Sequence, residues 1–227
     1  MRLYEDKTRF RELITETSEE LGLLPSIVEK DYYVTCILKR IVESVPFIIF
    51  KGGTSLSKCF RVIRRFSEDI DISFGNEKNR ATQSQRKDTN RAVRDVCRDN
   101  GFGRCLLKDE FRSNREFNSA VIEYDRLSYD VTVENKIIIE LSQFLATYPT
   151  QQKEAGSYIT DYLKKRGDRK TMERFDLFPF SVSVQALERT FVDKVFALCD
   201  YYLRGDITWN SRLFGHNCGR FRLRHRF

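Results

Sequence analysis

Apolar positions recur at helical spacing over residues 5–21, where Phe10, Leu13, Ile14, Thr17 and Leu21 share a face. Gly22 is placed to end that helix. Ser26 and Glu29 stand at capping-box spacing, and Ile27, Val34, Ile37, Leu38, Ile41 and Val45 give a second helix its buried stripe. Pro46 stops it. The period then changes. Phe47 to Phe50 is a short apolar run that predicts a buried strand, and Gly52-Gly53 follow. Leu56, Cys59, Phe60 and Ile63 predict a helix capped by Thr54 or Ser55. From Ser67 to Phe74 the side chains alternate. Ser67, Asp69, Asp71 and Ser73 fall on one face, and Ile70, Ile72 and Phe74 on the other.

Downstream, residues 84–99 predict a polar helix ended by Gly101, and strand-like runs cover 103–108, 117–124 and 136–144. Tyr148-Pro149 and the polar stretch to about Gly156 predict a linker. A short helix over 157–166, a strand over 181–184 and a helix over 186–203 complete the pattern, the last with Leu187, Phe191, Val195, Leu198 and Tyr202 as its core face. Lys194 lies off that stripe and shares a face with Thr190, Ala197 and Tyr201. No internal repeat is present. The expected organisation is N-terminal helices over 1–46, a core over 47–150, a helical region over 151–211 and a basic tail over 212–227.

The chemistry concentrates between Phe47 and Phe74. Gly52 and Gly53 allow a close approach that a Cβ blocks, and free N–H groups at the following helix start favour a phosphate. Asp69 and Asp71, about 7 Å apart along one strand face, would repel each other unpaired, and one or two Mg²⁺ ions remove that conflict. Alone, a Gly-Gly pair is an ordinary turn and a DxD pair a solvated strand edge. In this order they read as a nucleotide and metal site, and so as a nucleotidyltransferase. Glu140, at the end of an Ile-Ile-Ile run, is costly to bury unpaired. It either completes a metal triad with Asp69 and Asp71 or points to solvent or an arginine, with Asp125, Asp130 and Glu134 as weaker competitors.

The segment KGGTSLSK…RRFSEDIDIS resembles the AbiEii/AbiGii toxin family of nucleotidyltransferases, whose core is similar to DNA polymerase beta. VEKDYYVTCIL at Val28 to Leu38 resembles the family's upstream helix, and LERTFVDKVFALCDYYL at Leu187 to Leu203 its downstream motif with a functional lysine. The resemblance runs from about Ser26 to Ser211. It implies an α/β (α+β) fold: a mixed sheet flanked by helices, with an N-terminal helical pair and a C-terminal helical region that looks truncated. It also implies a Mg²⁺-dependent toxin of a toxin–antitoxin or abortive-infection system, with an antitoxin partner. Such an enzyme moves a nucleotide from an NTP to RNA, including the tRNA 3′ end, or to a protein hydroxyl. Asp69, Asp71 and Glu140 would hold the metal. Gly52, Gly53, Thr54, Ser55 and Ser67 would hold the nucleotide, with Lys58, Arg65 or Lys194 balancing its charge. The resemblance sets Lys30 and Asp31 near the cleft, whereas the residues alone read as a surface ion pair. Asp193 stands where the family more often has Glu.

Family members continue with SRH-x-x-D, whereas this chain reads NSRLFGHNCGRFRLRHRF. Ser211 and Arg212 match, and the aspartate is missing. The alternative reading is therefore a catalytically impaired remnant that binds NTP, RNA or antitoxin without chemistry.

Composition narrows the class. The 227 residues carry a net charge of +7, with 41% hydrophobic and 32% charged residues. That suits a globular chain and either an anionic partner or an ordinary basic surface. The five arginines from Arg212 onward allow nonspecific nucleic-acid contact. Among residues 84–99, Arg86, Lys87, Arg91, Arg94 and Arg98 offer a phosphate-facing helix, or a solvated face, because Asp88, Asp95 and Asp99 interleave. No apolar run is long enough to span a membrane, and the N-terminus lacks a signal-peptide pattern, so a cytoplasmic protein is expected. Cys36, Cys59, Cys97, Cys105, Cys199 and Cys218 form no CxxC pair, which argues against zinc and for reduced core cysteines.

Overall fold

A computed structural model describes residues 1–63, 66–67, 69–74, 82–107, 117–142 and 147–204. Two N-terminal helices, α1 (Lys7–Leu21) and α2 (Pro25–Ser44), precede strand β1 (Ile48–Lys51) and the short helix α3 (Gly52–Lys58). Then follow β2 (Ile70–Phe74), α4 (Gln83–Arg98), β3 (Arg104–Leu107), β4 (Phe117–Glu123) and β5 (Lys136–Ser142). The chain continues through β6 (Thr150–Ala155), α5 (Tyr158–Arg166), α6 (Arg169–Phe175), β7 (Phe180–Gln185) and α7 (Leu187–Arg204). The seven strands form one sheet in the order β3-β4-β5-β2-β1-β7-β6. β2 runs parallel to β5 and β1 to β7, and the remaining neighbours are antiparallel. The fold is thus the mixed sheet flanked by helices that the motifs imply.

Alternation assigns the two faces. Ile70 and Ile72 of β2 and Ile137, Ile139 and Leu141 of β5 enter one core with Phe10, Leu13 and Ile14 of α1, Val34, Ile37, Leu38 and Ile41 of α2, and Val93 and Val96 of α4. The intervening residues, Asp71 and Glu140 among them, turn to the other face. None of the described helices is long and apolar enough to cross a membrane.

Several local expectations change. Gly22 does end α1, with φ 63°. The capping box at Ser26 does not form. Leu24 is the N-cap, with Pro25 in the first turn, where a missing N–H costs nothing. Ser26 and Glu29 are thereby released for the segment before β5. Ser26 N donates to Asp130 Oδ2 at 2.8 Å, and Glu29 accepts from Leu127 N at 2.6 Å and Ser128 N at 2.9 Å. Lys30 and Asp31 are 1% and 3% exposed, so they are not a surface ion pair. The linker expected over 148–156 contains β6, a polar strand at the sheet edge whose exposed positions face water. α6 had no sequence expectation.

The cysteines are also corrected. Cys97 and Cys105 are joined in a disulfide, because the turn at 100–102 folds β3 back across the end of α4. Cys36 and Cys59 are half-buried, with thiols that burial pushes up to about 11, and Cys199 is exposed. Cys218 lies outside the described residues.

The expected core face of α7 is wrong for a physical reason. Phe191, Val195 and Tyr202 are 65%, 41% and 80% exposed. The helix turns its Thr190, Asp193 and Ala197 side inward instead. Thr190 donates to the main-chain oxygen of Ala186 at 3.2 Å, and Asp193 accepts from Gln185 Nε2 of β7 at 2.7 Å. Polar anchoring to the end of β7 outweighs the apolar stripe.

Candidate active site

Four neighbouring strands each place one polar side chain on a line across the sheet. Lys51 at the end of β1 is the register partner of Asp71 in β2. Asp71 is the partner of Glu140 in β5, and Glu140 of Ser119 in β4. Directly opposed residues project from the same face, with strands about 5 Å apart. The line therefore reads lysine, aspartate, glutamate, serine.

The electrostatics of this row are unbalanced. Burial raises the carboxyl of Asp71 above its usual range, while Lys51 and Lys194 pull it down and a hydrogen bond joins it to Glu140. Two carboxyl groups this close repel when both are ionised, which favours a shared proton or a cation between them. Burial lowers the ammonium of Lys51, opposed by the charges of Asp71, Asp193 and Glu140. Lys51 Nζ also donates to Ser142 Oγ at 2.6 Å. Lys194 reaches the cluster from α7, the one exposed cation beside Asp71 and Lys51 among the described residues.

The turn after β1 makes room for this row. Gly52 has φ 75°, and a Cβ there would lie 1.8 Å from Asp71 Oδ2. Only glycine fits that backbone and that approach. α3 begins at Gly52 itself, with Gly53 in its first turn, so Thr54 and Ser55 lie inside the helix instead of capping it. Both are fully buried. Thr54 Oγ1 donates to the main-chain oxygen of Asp69 at 2.5 Å and accepts from Ser67 Oγ at 2.9 Å. Ser55 Oγ donates to the oxygen of Gly52 at 2.9 Å. These hydroxyls lock the turn to the segment entering β2. Asp69 is half-buried, two residues before Asp71 on the same alternating face.

Lys58 lies apart from the row. Its ammonium is buried against Asp31 Oδ1 at 2.5 Å and Thr35 Oγ1 at 2.7 Å, both on α2. Asp31 Oδ2 in turn accepts from Tyr158 N at 2.8 Å. Arg65 and the tail from residue 205 lie outside the described residues. Asp130 is held by Ser26, and Asp125 and Glu134 are exposed.

Two adjacent carboxylates close enough to share a proton form a donor pair that suits a hard divalent cation. Among the described residues, no three His, Cys, Asp or Glu side chains are already gathered as a metal cage. Sequence reasoning missed Lys51, Ser142 and Gln185. For Lys51 a signal existed: a lysine ends a buried strand directly before the glycines, where its charge is as costly as that of Glu140.

The sequence profile described as "Nucleotidyl transferase AbiEii toxin, Type IV TA system" matches residues 36–208. No curated protein matches in sequence. Among solved structures, the nucleotidyltransferase toxin MenT4 from Mycobacterium tuberculosis H37Rv matches with 16% identity and a TM-score of 0.46, over 82% of this chain and 57% of its own. JHP933 from Helicobacter pylori matches with 14% identity and a TM-score of 0.38, over 73% of this chain and 56% of its own. The chain spans a little over half the length of each.

Proposed function

Because this chain belongs to the AbiEii family of nucleotidyl transferase toxins, we propose that it transfers a nucleotide from an NTP to an RNA hydroxyl, the tRNA 3′ end first among acceptors. A cognate antitoxin is its partner. The observation that carries this reading is the row Lys51–Asp71–Glu140 behind a glycine turn.

In this reading Asp69, Asp71 and Glu140 are the residues that hold Mg²⁺. The ion, when bound, polarises the α-phosphate and favours deprotonation of the attacking hydroxyl. Lys51 and Lys194 flank the triphosphate and balance its charge as pyrophosphate leaves. The main chain at Gly52 and Gly53 meets the phosphates, while Thr54, Ser55 and Ser67 hold that turn against Asp69. Lys51 takes the charge-balancing part that the sequence suggested for Lys58. Lys58 holds α3 from behind.

The test is transfer of label from each α-³²P NTP to total tRNA with Mg²⁺, by the native chain and by Asp71→Asn. Label should reach RNA and fall by about a thousandfold in the variant, the scale of losing one electrostatic group at a reacting centre. Equal labelling by Asp71→Asn would sink the assignment. So would a folded native chain that binds NTP and labels nothing. Label on protein in place of RNA would overturn the acceptor.

A further inference from the structure

The charges of α4 interleave in sequence but separate in space. At about 100° per residue, Thr89, Ala92, Val93 and Val96 form the side that enters the core. Lys87, Arg91, Arg94 and Arg98 follow at i, i+4, i+7 and i+11 on the opposite side. Asp88 and Asp95, seven residues apart, share a flank between the two. Asp88 accepts from Ser84, and Asp95 lies 3.8 Å from Arg98. Asp99 is past the helix end, in an ion pair with Arg40 of α2. The acids therefore lie along one edge of the cationic stripe, Asp95 paired there with Arg98.

A cleft of about 280 Å³ runs along this side, lined by Lys87, Asn90, Arg91, Arg94, Asp95 and Arg98. Asn90 ties the helix to the sheet: its Oδ1 accepts from Asn118 Nδ2 of β4 at 3.5 Å, on the face opposite the carboxylate row.

We propose that this stripe docks the sugar-phosphate backbone of the RNA acceptor, on the side of the sheet opposite the carboxylate row. The inference rests on the RNA acceptor named above and adds where that acceptor is held. Four cations over about 16 Å of helix match a strand that presents a phosphate about every 3.4 Å of axis, and so span about five phosphates. Three of the four are arginines, whose planar donors fit phosphate oxygens in pairs. Among the described residues no apolar side chain lines the cleft, whereas a protein partner brings an apolar centre to its interface.

The experiment measures binding of labelled total tRNA across a salt series. It compares the native chain, Asp71→Asn and the triple variant K87A/R91A/R98A, which changes only exposed side chains and leaves the half-buried Arg94. The triple variant should keep its melting temperature and NTP binding. It should bind tRNA at least tenfold more weakly, with a slope of log affinity against log salt shallower by about two. Asp71→Asn should bind tRNA like the native chain while losing transfer. Arg91→Glu alone should move affinity in the same direction. Native-like tRNA binding by the triple variant overturns the proposal. Competition by polyglutamate as effective as that by tRNA also overturns it, in favour of an acidic protein partner. If the native chain transfers nothing yet binds tRNA through the stripe, the catalytic reading fails and the docking inference stands.

Discussion

The molecule holds two lysine–carboxylate centres that differ in how completely they are closed. Lys58 and Asp31 meet one to one inside the protein, and their remaining donors and acceptors are taken by Thr35, the main chain of Gly156 and the N–H of Tyr158. Across α3, Lys51 faces Asp71, Glu140 and Asp193 together, with Lys194 exposed at the edge. The first centre leaves nothing for a ligand. The second has two adjacent buried carboxyls with cations arranged around them. A closed pair holds helices together, whereas an open group of opposed charges has the character of a functional site.

That contrast can be broken from either side. The largest stability loss should come from Lys58→Ala. It strands Asp31 in the interior and should cost about 3–5 kcal/mol in urea unfolding. Pairing it with Asp31→Leu should recover much of that loss, because the isolated charge is what destabilises. No recovery would mean that the ion pair itself, and not charge burial, holds α2 to α3. Gly52→Ala comes next. It should cost about 1–2 kcal/mol for the left-handed backbone and lower nucleotide transfer about a hundredfold, as Asp71 is displaced by its own neighbour. Transfer at the native level would show that Asp71 tolerates displacement.

The smallest effect sharpens the comparison through pH. The folded carboxyl of Asp71 lies above its unfolded value, so the native chain binds that proton more tightly. The resulting stability is fully present below the unfolded value and is lost as pH rises through the folded one. In the proposed function a divalent cation would displace that proton. Mg²⁺ should therefore raise the melting temperature more at neutral than at acid pH, by about 3 °C for each kcal/mol of binding. The shift should vanish in Asp71→Asn and persist in Lys58→Ala. An equal shift in Asp71→Asn would place the cation elsewhere.

Much of this was legible because it is local. The period-2 run from Ser67 to Phe74 fixed the face of Asp71, and the Ile-Ile-Ile run before Glu140 marked a charge in a buried strand. Both remained a list of candidates until strand register set them side by side. Lys58 read as a phosphate contact because sequence cannot show a partner 27 residues upstream on another helix. α7 misled because its most apolar stripe is not its inward one, and β6 because a polar edge strand has the composition of a loop. The α4 stripe was obscured by acids that interleave along the chain and move to its edge only once the helix winds.

The row across β1, β2, β5 and β4 also bears on how such a chain can change over generations. Apolar residues in these strands can be exchanged for one another at modest cost, since the core asks for volume and not identity. Length is another matter. A single residue gained or lost ahead of Lys51, Asp71 or Glu140 carries that group to the opposite face. These strands can drift freely in spelling and hardly at all in count.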